Sequence, residues 1–558
     1  MNTPAYRSLV KIEIDDKQTP TNLMEDIIQL VVEESIHLPG MFTLVIRNDY
    51  HPGRQEETPW QYKDLLQIGK PIKIGFGSST NESKEFSQQQ EGYVLEGEIT
   101  AIETHFSETS QAPIIIRGYD VSHRLHRGRY NRSYQNMTDS DIVKKIADEV
   151  NLKIGVVDET GIPHDYVFQE NQTNMEFLRE RATRTGSELF IQDGKLYFRK
   201  PKADKEELKL KWLSDLHSFR VRTTSAEQVK EVEVRAWDYS QKRAIVSTAK
   251  KEQVITDTKN GKGSDTSSKF NGQPTKPKMI VVDRPTFHPK EADKMAQALC
   301  DELGGEFIYA DAKGEGNPKI RPGKVLNLDE KDMGQYGGKY YITETRHSYH
   351  ERVYITEFSV RGLRGGDLLT MLAPKTRLQP GQTMLVGIVT DNDDPQGWGR
   401  VKVKFPTLTE EHSSNWARVV SIGAGNGRGF DCLPEIDDEV LVAFEHGDIH
   451  RPYIIGGVWN GKDAPPVHVD DSVVDSKVRS RTFKTRTGHQ IQFIEEDKGG
   501  SKAGVYIETN KGHKIFMDDS DRSISVSSTG NLKIDAKGNI DISATGVITI
   551  KGSLIKLN

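Results

Sequence analysis

The last four strand-length segments of the chain repeat every eight residues. Apolar pairs fall at Ile524 and Val526, Leu532 and Ile534, Ile540 and Ile542, and Ile548 and Ile550, with Gly530, Gly538 and Gly546 at the turns. Each octad has period two, so it presents one narrow apolar face opposite Ser, Thr, Asp and Lys. A strand this short cannot bury both faces, and one chain supplies few such faces with which to close a core. Two arrangements remain: a solenoid core within one chain, or three identical chains wrapped into a triangular prism with the apolar pairs inside. The prism is the more economical. After Ile550 the phase slips by one residue, to Ile555 and Leu557, before the last residue, Asn558. Leu554, Ile555, Lys556, Leu557 and Asn558 are therefore expected to form a blunt, partly apolar platform that another protein covers.

At 558 residues the length predicts three to four domains, and 35% hydrophobic residues suits elongated β-structure better than one large core. A net charge of −6 and a pI near 6.3 argue against non-specific binding to nucleic acid or anionic lipid. No apolar run reaches membrane-spanning length, and residues 1–30 lack a basic start followed by an apolar core, so no signal peptide is expected and cytoplasmic synthesis is. Cys300 and Cys432 are far apart in the chain and read as free thiols.

Residues 1–130 alternate like strands at Leu9–Ile14, Gln29–Val32, Phe42–Ile46, Ile72–Ile74 and Ile114–Arg117, with the polar stretch Ser78–Glu91 reading as a mobile loop. Helices are predicted near 138–150, 174–185 and 289–303. Thr138 with Asp141 and Thr173 with Glu176 have capping-box spacing, and Gly186 and Gly304 serve as stops. Asp193-Gly194 predicts a primed hairpin turn. Residues 250–278, nearly devoid of apolar side chains, read as a flexible surface insertion. Gly365-Gly366, Pro374 and Pro380-Gly381 read as a domain boundary. Five strands at about 384–390, 399–405, 416–420, 438–445 and 453–459 suit a small closed barrel.

Reactive constellations are weak. Gly425-Asn-Gly-Arg-Gly429 precedes no helix and lacks Gly-Lys-Ser/Thr, so it reads as a tight loop rather than a phosphate cradle. His446, His450 and His468 lie in strand–turn–strand sequence, where i, i+4 spacing does not gather metal ligands. The acid pairs Asp393/Asp394 and Glu410/Glu411 read as solvated turn residues rather than glycosidase carboxylates. Residues 380–468 carry seven Lys and Arg against thirteen Asp and Glu, the wrong sign for a nucleic-acid groove. No catalytic, cofactor or metal residues are expected.

The barrel segment carries Asp393-Asp-Pro-Gln-Gly-Trp-Gly-Arg-Val-Lys-Val-Lys-Phe-Pro406, Trp416-Ala-Arg-Val419 and Gly423-Ala-Gly425. It continues with Leu433-Pro-Glu-Ile-Asp-Asp-Glu-Val-Leu-Val442, Gly447-Asp-Ile-His-Arg-Pro452 and Gly456-Gly-Val-Trp-Asn-Gly461. In this order the run resembles the OB-fold domain of the VgrG family, the spikes of contractile injection systems. Asn174–Arg181 through Gly186–Phe190 resembles the family's phage-type hub, and the octads resemble its C-terminal β-helix.

The resemblance implies a mainly β fold: a hub of two β-barrel subdomains with a few helices (1–375), an OB-fold barrel (380–465) and a trimeric β-helix needle or prism (480–558). Counted from Phe483, eight or nine layers at about 4.7 Å give a needle of roughly 40 Å. The needle core would be Ile524, Val526, Leu532, Ile534, Ile540, Ile542, Ile548 and Ile550. The implied function is a non-enzymatic homotrimeric spike, joining a hexameric inner tube and baseplate proteins to a membrane-puncturing needle. A conical PAAR-type tip protein would sit on 554–558, and effector cargo is a further implied partner. It would be assembled in the bacterial cytoplasm and then released or fired as part of a particle. The length and short prism look more like spikes of extracellular phage-tail-like particles than of type VI secretion. The alternative is a tip-delivered cell-wall hydrolase or effector-carrying spike, which would need an inserted or appended domain with paired catalytic groups.

Overall fold

The computed structural model describes residues 6–48, 60–80, 90–106, 113–161, 163–203, 207–238, 240–282, 286, 288–362 and 382–556. They form two compact units, Met1–Val458 and Trp459–Asn558.

The first unit is built on an eleven-stranded sheet. Strand alternation sets its faces: along Met41–Ile46 the residues Phe42, Leu44 and Ile46 are buried while Met41, Thr43 and Val45 are half-buried. Ile27–Ser35 pairs with Met41–Ile46 on one side and Glu344–His350 on the other, so early and late hub strands share one sheet. Arg321 crosses between them with its guanidinium on both carboxylate oxygens of Glu34, each at 2.6 Å. It also donates to the carbonyls of Tyr93 and Val94 and to Asp193. Both side chains are 8% exposed, so the pair is buried with its remaining donors satisfied. Beside it, Phe76 and Tyr354 stack at 4.6 Å and the Tyr354 hydroxyl lies 2.8 Å from Nδ1 of fully buried His347.

Three helices pack on smaller sheets. α1 (Asp139–Glu149) and α2 (Asn174–Thr185) each begin with a complete capping box, at Thr138/Asp141 and Thr173/Glu176, and α2 stops at left-handed Gly186. They cover the hairpin Glu188–Gln192 and Lys195–Arg199, whose turn residues Asp193 and Gly194 both have positive φ, as a primed turn requires. α3 (Pro289–Gly305) packs Ala292, Met295, Ala296 and Leu299 against Glu231–Asp238 and Arg243–Ala249.

Two expectations meet a different structure. Residues 250–278 are not a loose insertion: Asp257–Thr258 pairs with Gly338–Tyr341, a short helix spans Gly263–Thr266, and Glu252, Thr258, Ser264 and Ser267 are buried. Polar groups hold this segment, as in Ser264 N–H donating to Glu252 Oε1 and Gln297 Nε2 donating to the Lys251 carbonyl, so its apolar content misled. The flanking strands Pro71–Thr80 and Gln90–Thr104 also run into the polar stretch Ser78–Glu91. Its middle, 81–89, lies outside the described residues, as does the boundary at 365–381.

Leu385–Asp391, Arg400–Lys404, Ala417–Val419, Glu439–Phe444 and Pro452–Gly457 close a five-stranded barrel in which the third strand pairs in parallel with the fifth. Val389, Val401, Val403, Ala417, Val440, Val442 and Ile454 fill it. The barrel meets the hub where Trp237 Nε1 donates to Glu439 Oε1 at 2.9 Å.

In the second unit, Ser480–Lys484, Gln490–Ile494, Gly504–Glu508, Lys514–Asp518 and Ser523–Ser527 form an antiparallel meander. Buried Arg479 supports its start, donating to the carbonyls of Glu496, Asp471 and Ser501. From 528 to 556 the chain forms no strand pairs among the described residues, and bends recur at 529–530, 537–538 and 545–546, the octad period.

Candidate assembly interface

The register of the meander collects one kind of side chain on one face. Phe483 lies opposite Ile491, Ile491 opposite Ile507, Phe493 opposite Val505, and Val505 opposite Met517. Ile507 lies opposite Ile515, and the last strand adds Val526 opposite Ile515 and Ile524 opposite Met517. Cross-strand neighbours of this type stabilise a sheet, and here they form an unbroken apolar surface. Its border is marked by the ion pair Arg481–Glu495 at 2.7 Å. The other face carries Gln492, Tyr506, Phe516 and Ser525 in register, with the Tyr506 and Phe516 rings stacked at 3.8 Å.

The apolar face is exposed in the single chain. Ile524 is 72% exposed and Val526 57%, and the octads continue the pattern, with Ile534 and Ile542 each at 70% and Leu532, Ile540, Ile548 and Ile550 also exposed. A contiguous apolar surface of this extent marks an interaction site. Leu554 and Ile555 are exposed as well, Lys556 follows, and Leu557 and Asn558 lie outside the described residues. Sequence reading located the octads and began the needle at Phe483 but did not single out Ile491, Phe493, Val505, Ile507, Ile515 and Met517. The signal was there, as period-two alternation in five-residue runs, but their spacing is irregular and shows no octad.

The other candidates stay apart. His446, His450 and His468 are exposed; His450 and His468 contact Asp448 and Asp470, and no group of metal-ligating side chains forms among the described residues. Ala424–Gly425 and Arg428–Gly429 pair as a hairpin. Glu410 and Glu411 are exposed.

Asp394 corrects the reading of a solvated turn acid. It binds Arg400 through both oxygens and accepts from the backbone N–H groups of Gln396, Trp398 and Arg400. Arg400, followed by those N–H groups, holds its carboxyl well below the usual range. Arg400 in turn lies 4.8 Å from the centre of the exposed Trp398 ring. Among the described residues no helix is long and apolar enough to cross a membrane.

Two family models match the chain: the Alg8 N-terminal domain over residues 7–351, more than half of its length, and the type VI secretion system/phage-baseplate injector OB domain over 385–459. The actin cross-linking toxin VgrG1 of Vibrio cholerae is 28% identical over 267 residues, 44% of this chain and 23% of the relative. The type VI secretion system spike protein VgrG1a of Pseudomonas aeruginosa is 31% identical over 153 residues, 26% of this chain and 23% of the relative. The chain thus spans less than a quarter of the length of these relatives in the matched stretches. Among solved structures, the 43 kDa tail protein of prophage MuSo2 from Shewanella oneidensis is 13% identical with a TM-score of 0.47, covering 64% of this chain and 99% of that one.

Proposed function

Because the chain belongs to the VgrG family of spike proteins, we propose that three copies of it assemble into the spike of a contractile injection system through the exposed apolar face of residues 483–550. The observation that supports this reading is the exposed apolar face of the meander, followed in sequence by octads whose apolar pairs are exposed as well. The octad segments need two things at once: lateral partners for their backbone and a cover for their side chains. Two chains placed face to face would supply only the cover. Three chains, each giving one side of every layer, supply both, and the resulting rod has no free strand edge along its length. Burying a side chain of this size contributes roughly 1.5–3 kcal/mol, so the assembled needle is stiff and slow to come apart.

In this reading residues 1–375 form the hub, 380–465 the collar and 480–558 the needle. The hub docks on a hexameric tube and baseplate proteins, and the exposed segment from Leu554 receives a conical tip protein. The chain acts mechanically, without chemistry of its own, and travels with an injection particle from the cell that assembles it. The test is the solution mass of the full chain by light scattering, expected at three times 62.9 kDa, with deletion of 482–558 weakening or abolishing the trimer. A monodisperse monomer of the full chain would overturn it.

A further inference from the structure

His164, Asp139 and Arg181 meet where three elements of the hub join. Asp139 is the first residue of α1, directly after its Thr138 cap, and Arg181 lies midway along α2. His164 opens the strand His164–Gln172, which pairs with Tyr130–Met137, and stands opposite Met137, the residue before that cap. Asp139 and Arg181 are 3% and 5% exposed, while the His164 side chain keeps 22% of its surface, so a proton can reach it from solvent.

Arg181 Nε donates to Asp139 Oδ1. The ring nitrogen Nε2 of His164 has two neighbours, Arg181 Nη2 at 2.8 Å and Asp139 Oδ2 at 3.3 Å. They make opposite demands on it. The guanidinium only donates, so it needs the lone pair of an unprotonated Nε2, whereas the carboxylate only accepts, so it needs an N–H there. A ring nitrogen offers one or the other and never both. Burial would raise the Asp139 carboxyl, but His164 and Arg181 outweigh it and hold the group below its usual range, so the acceptor stays ionised.

Of the other charged groups around this contact, Arg184 of α2 faces Glu291 of α3 at 4.0 Å, and Glu159, beside Ser140, faces Lys144 at 3.1 Å. Asp165, next to the ring in sequence, is exposed. We infer that His164 is a proton-operated coupling: the neutral ring takes an N–H from Arg181 and ties the strand to α2, and the protonated ring gives its Nε2–H to Asp139 and ties the strand to α1. The proton comes from solvent and adds to Nε2, the contact of Arg181 Nη2 is released, and that of Arg181 Nε with Asp139 persists. Imidazole is the side chain that changes charge across about pH 5 to 8, which places the exchange between neutral and mildly acidic surroundings.

The experiment is histidine-ring NMR on the full-length protein, isotope-labelled at histidine, at about pH 8 and about pH 5, with His164→Gln to assign the signal by its loss. At the higher pH the neutral ring is expected as the Nδ1–H tautomer, because Nε2 is the acceptor, and at the lower pH both nitrogens carry protons. In Arg181→Met, which has no donor, the neutral ring should become the Nε2–H tautomer. Hydrogen exchange gives a second readout that stands if this variant does not fold. Between the same two pH values, corrected for intrinsic rates, peptides of 174–185 should lose protection relative to those of 139–149 by roughly threefold, about the worth of one hydrogen bond, in the parent and not in His164→Gln. A ratio within one protein cancels any loosening of the hub as a whole. The inference is overturned if the neutral ring of the parent is the Nε2–H tautomer, if it stays unprotonated at the lower pH, if folded Arg181→Met keeps the Nδ1–H tautomer, or if His164→Gln responds to pH like the parent.

Discussion

The hub and the C-terminal strands are made of the same kind of alternating β-sequence, yet they put their apolar residues to opposite uses. In the hub, Phe42, Leu44, Ile46, Ile72 and Ile74 are at most 1% exposed, because other parts of the same chain cover the face of the sheet on which they lie. In the meander and octads, Ile507, Ile515, Ile524 and Ile542 face outward from a single layer. A substitution in the first region should therefore be felt by the fold of one chain. In the second it should be felt by the assembly.

The sharpest way to break that contrast is Ile540→Asp with Ile542→Asp. In a trimer these place six carboxylates on one closed axis, where unpaired burial costs several kcal/mol each. Limited proteolysis should cut the octads readily while hub fragments survive as in the parent. Equal resistance of the octads in variant and parent would mean that those side chains face water in the assembled protein.

Next in size is Glu34→Ala, which strands the Arg321 guanidinium without its carboxylate. Removing one partner of a buried pair costs about 3–5 kcal/mol, read as a lower denaturant midpoint of the hub at unchanged oligomeric mass. A loss of solution mass instead would couple hub folding to trimerisation and blur the division between the regions.

A smaller effect distinguishes the two regions by pH. Burial, helped by the Arg321 charge, pushes the His347 ring down to about 3, against about 6.5 in an unfolded chain. Its folded-state pKa is depressed, so the unfolded chain takes up the proton first, and stability present above pH 6.5 declines as pH falls towards 3. At pH 5 the linked loss is about 2 kcal/mol. The histidines of the C-terminal unit, His468, His489 and His513, are exposed. Hydrogen exchange at pH 7 and pH 5, corrected for intrinsic rates, should loosen hub peptides more than C-terminal ones. His347→Gln should reduce the hub's pH dependence, and an unchanged dependence would acquit His347.

The smallest effect is local. Thr173→Ala removes the side-chain acceptor for Glu176 N–H and should cost the hub about 1 kcal/mol. Thermal melting would register it, and no change in solution mass is expected.

Much of the local structure was legible in particular residues. Thr138 with Asp141, Thr173 with Glu176, and Asp193-Gly194 each state a local geometry that neighbours in sequence can satisfy unaided. The barrel was legible because its five strands all lie within one stretch of sequence, from Leu385 to Gly457. The segment 250–278 was not, since it is fixed by contacts such as Gln297 to Lys251 and Tyr341 to Thr256 that no composition reveals. Asp394 was misread for a related reason: an acidic turn looks solvated until the side chain of Arg400 closes over it.

The octads and their apolar pairs were determined by sequence alone, because an eight-residue period records a repeating backbone and a face that needs a cover. Only the tertiary structure joined early and late hub strands in one sheet, set Arg321 on Glu34 across 287 positions, and aligned the apolar rows of the meander into a continuous face. These depend on register and on long-range pairing, which arise when distant segments compete for the same buried space, and a local pattern carries no information about which of them wins.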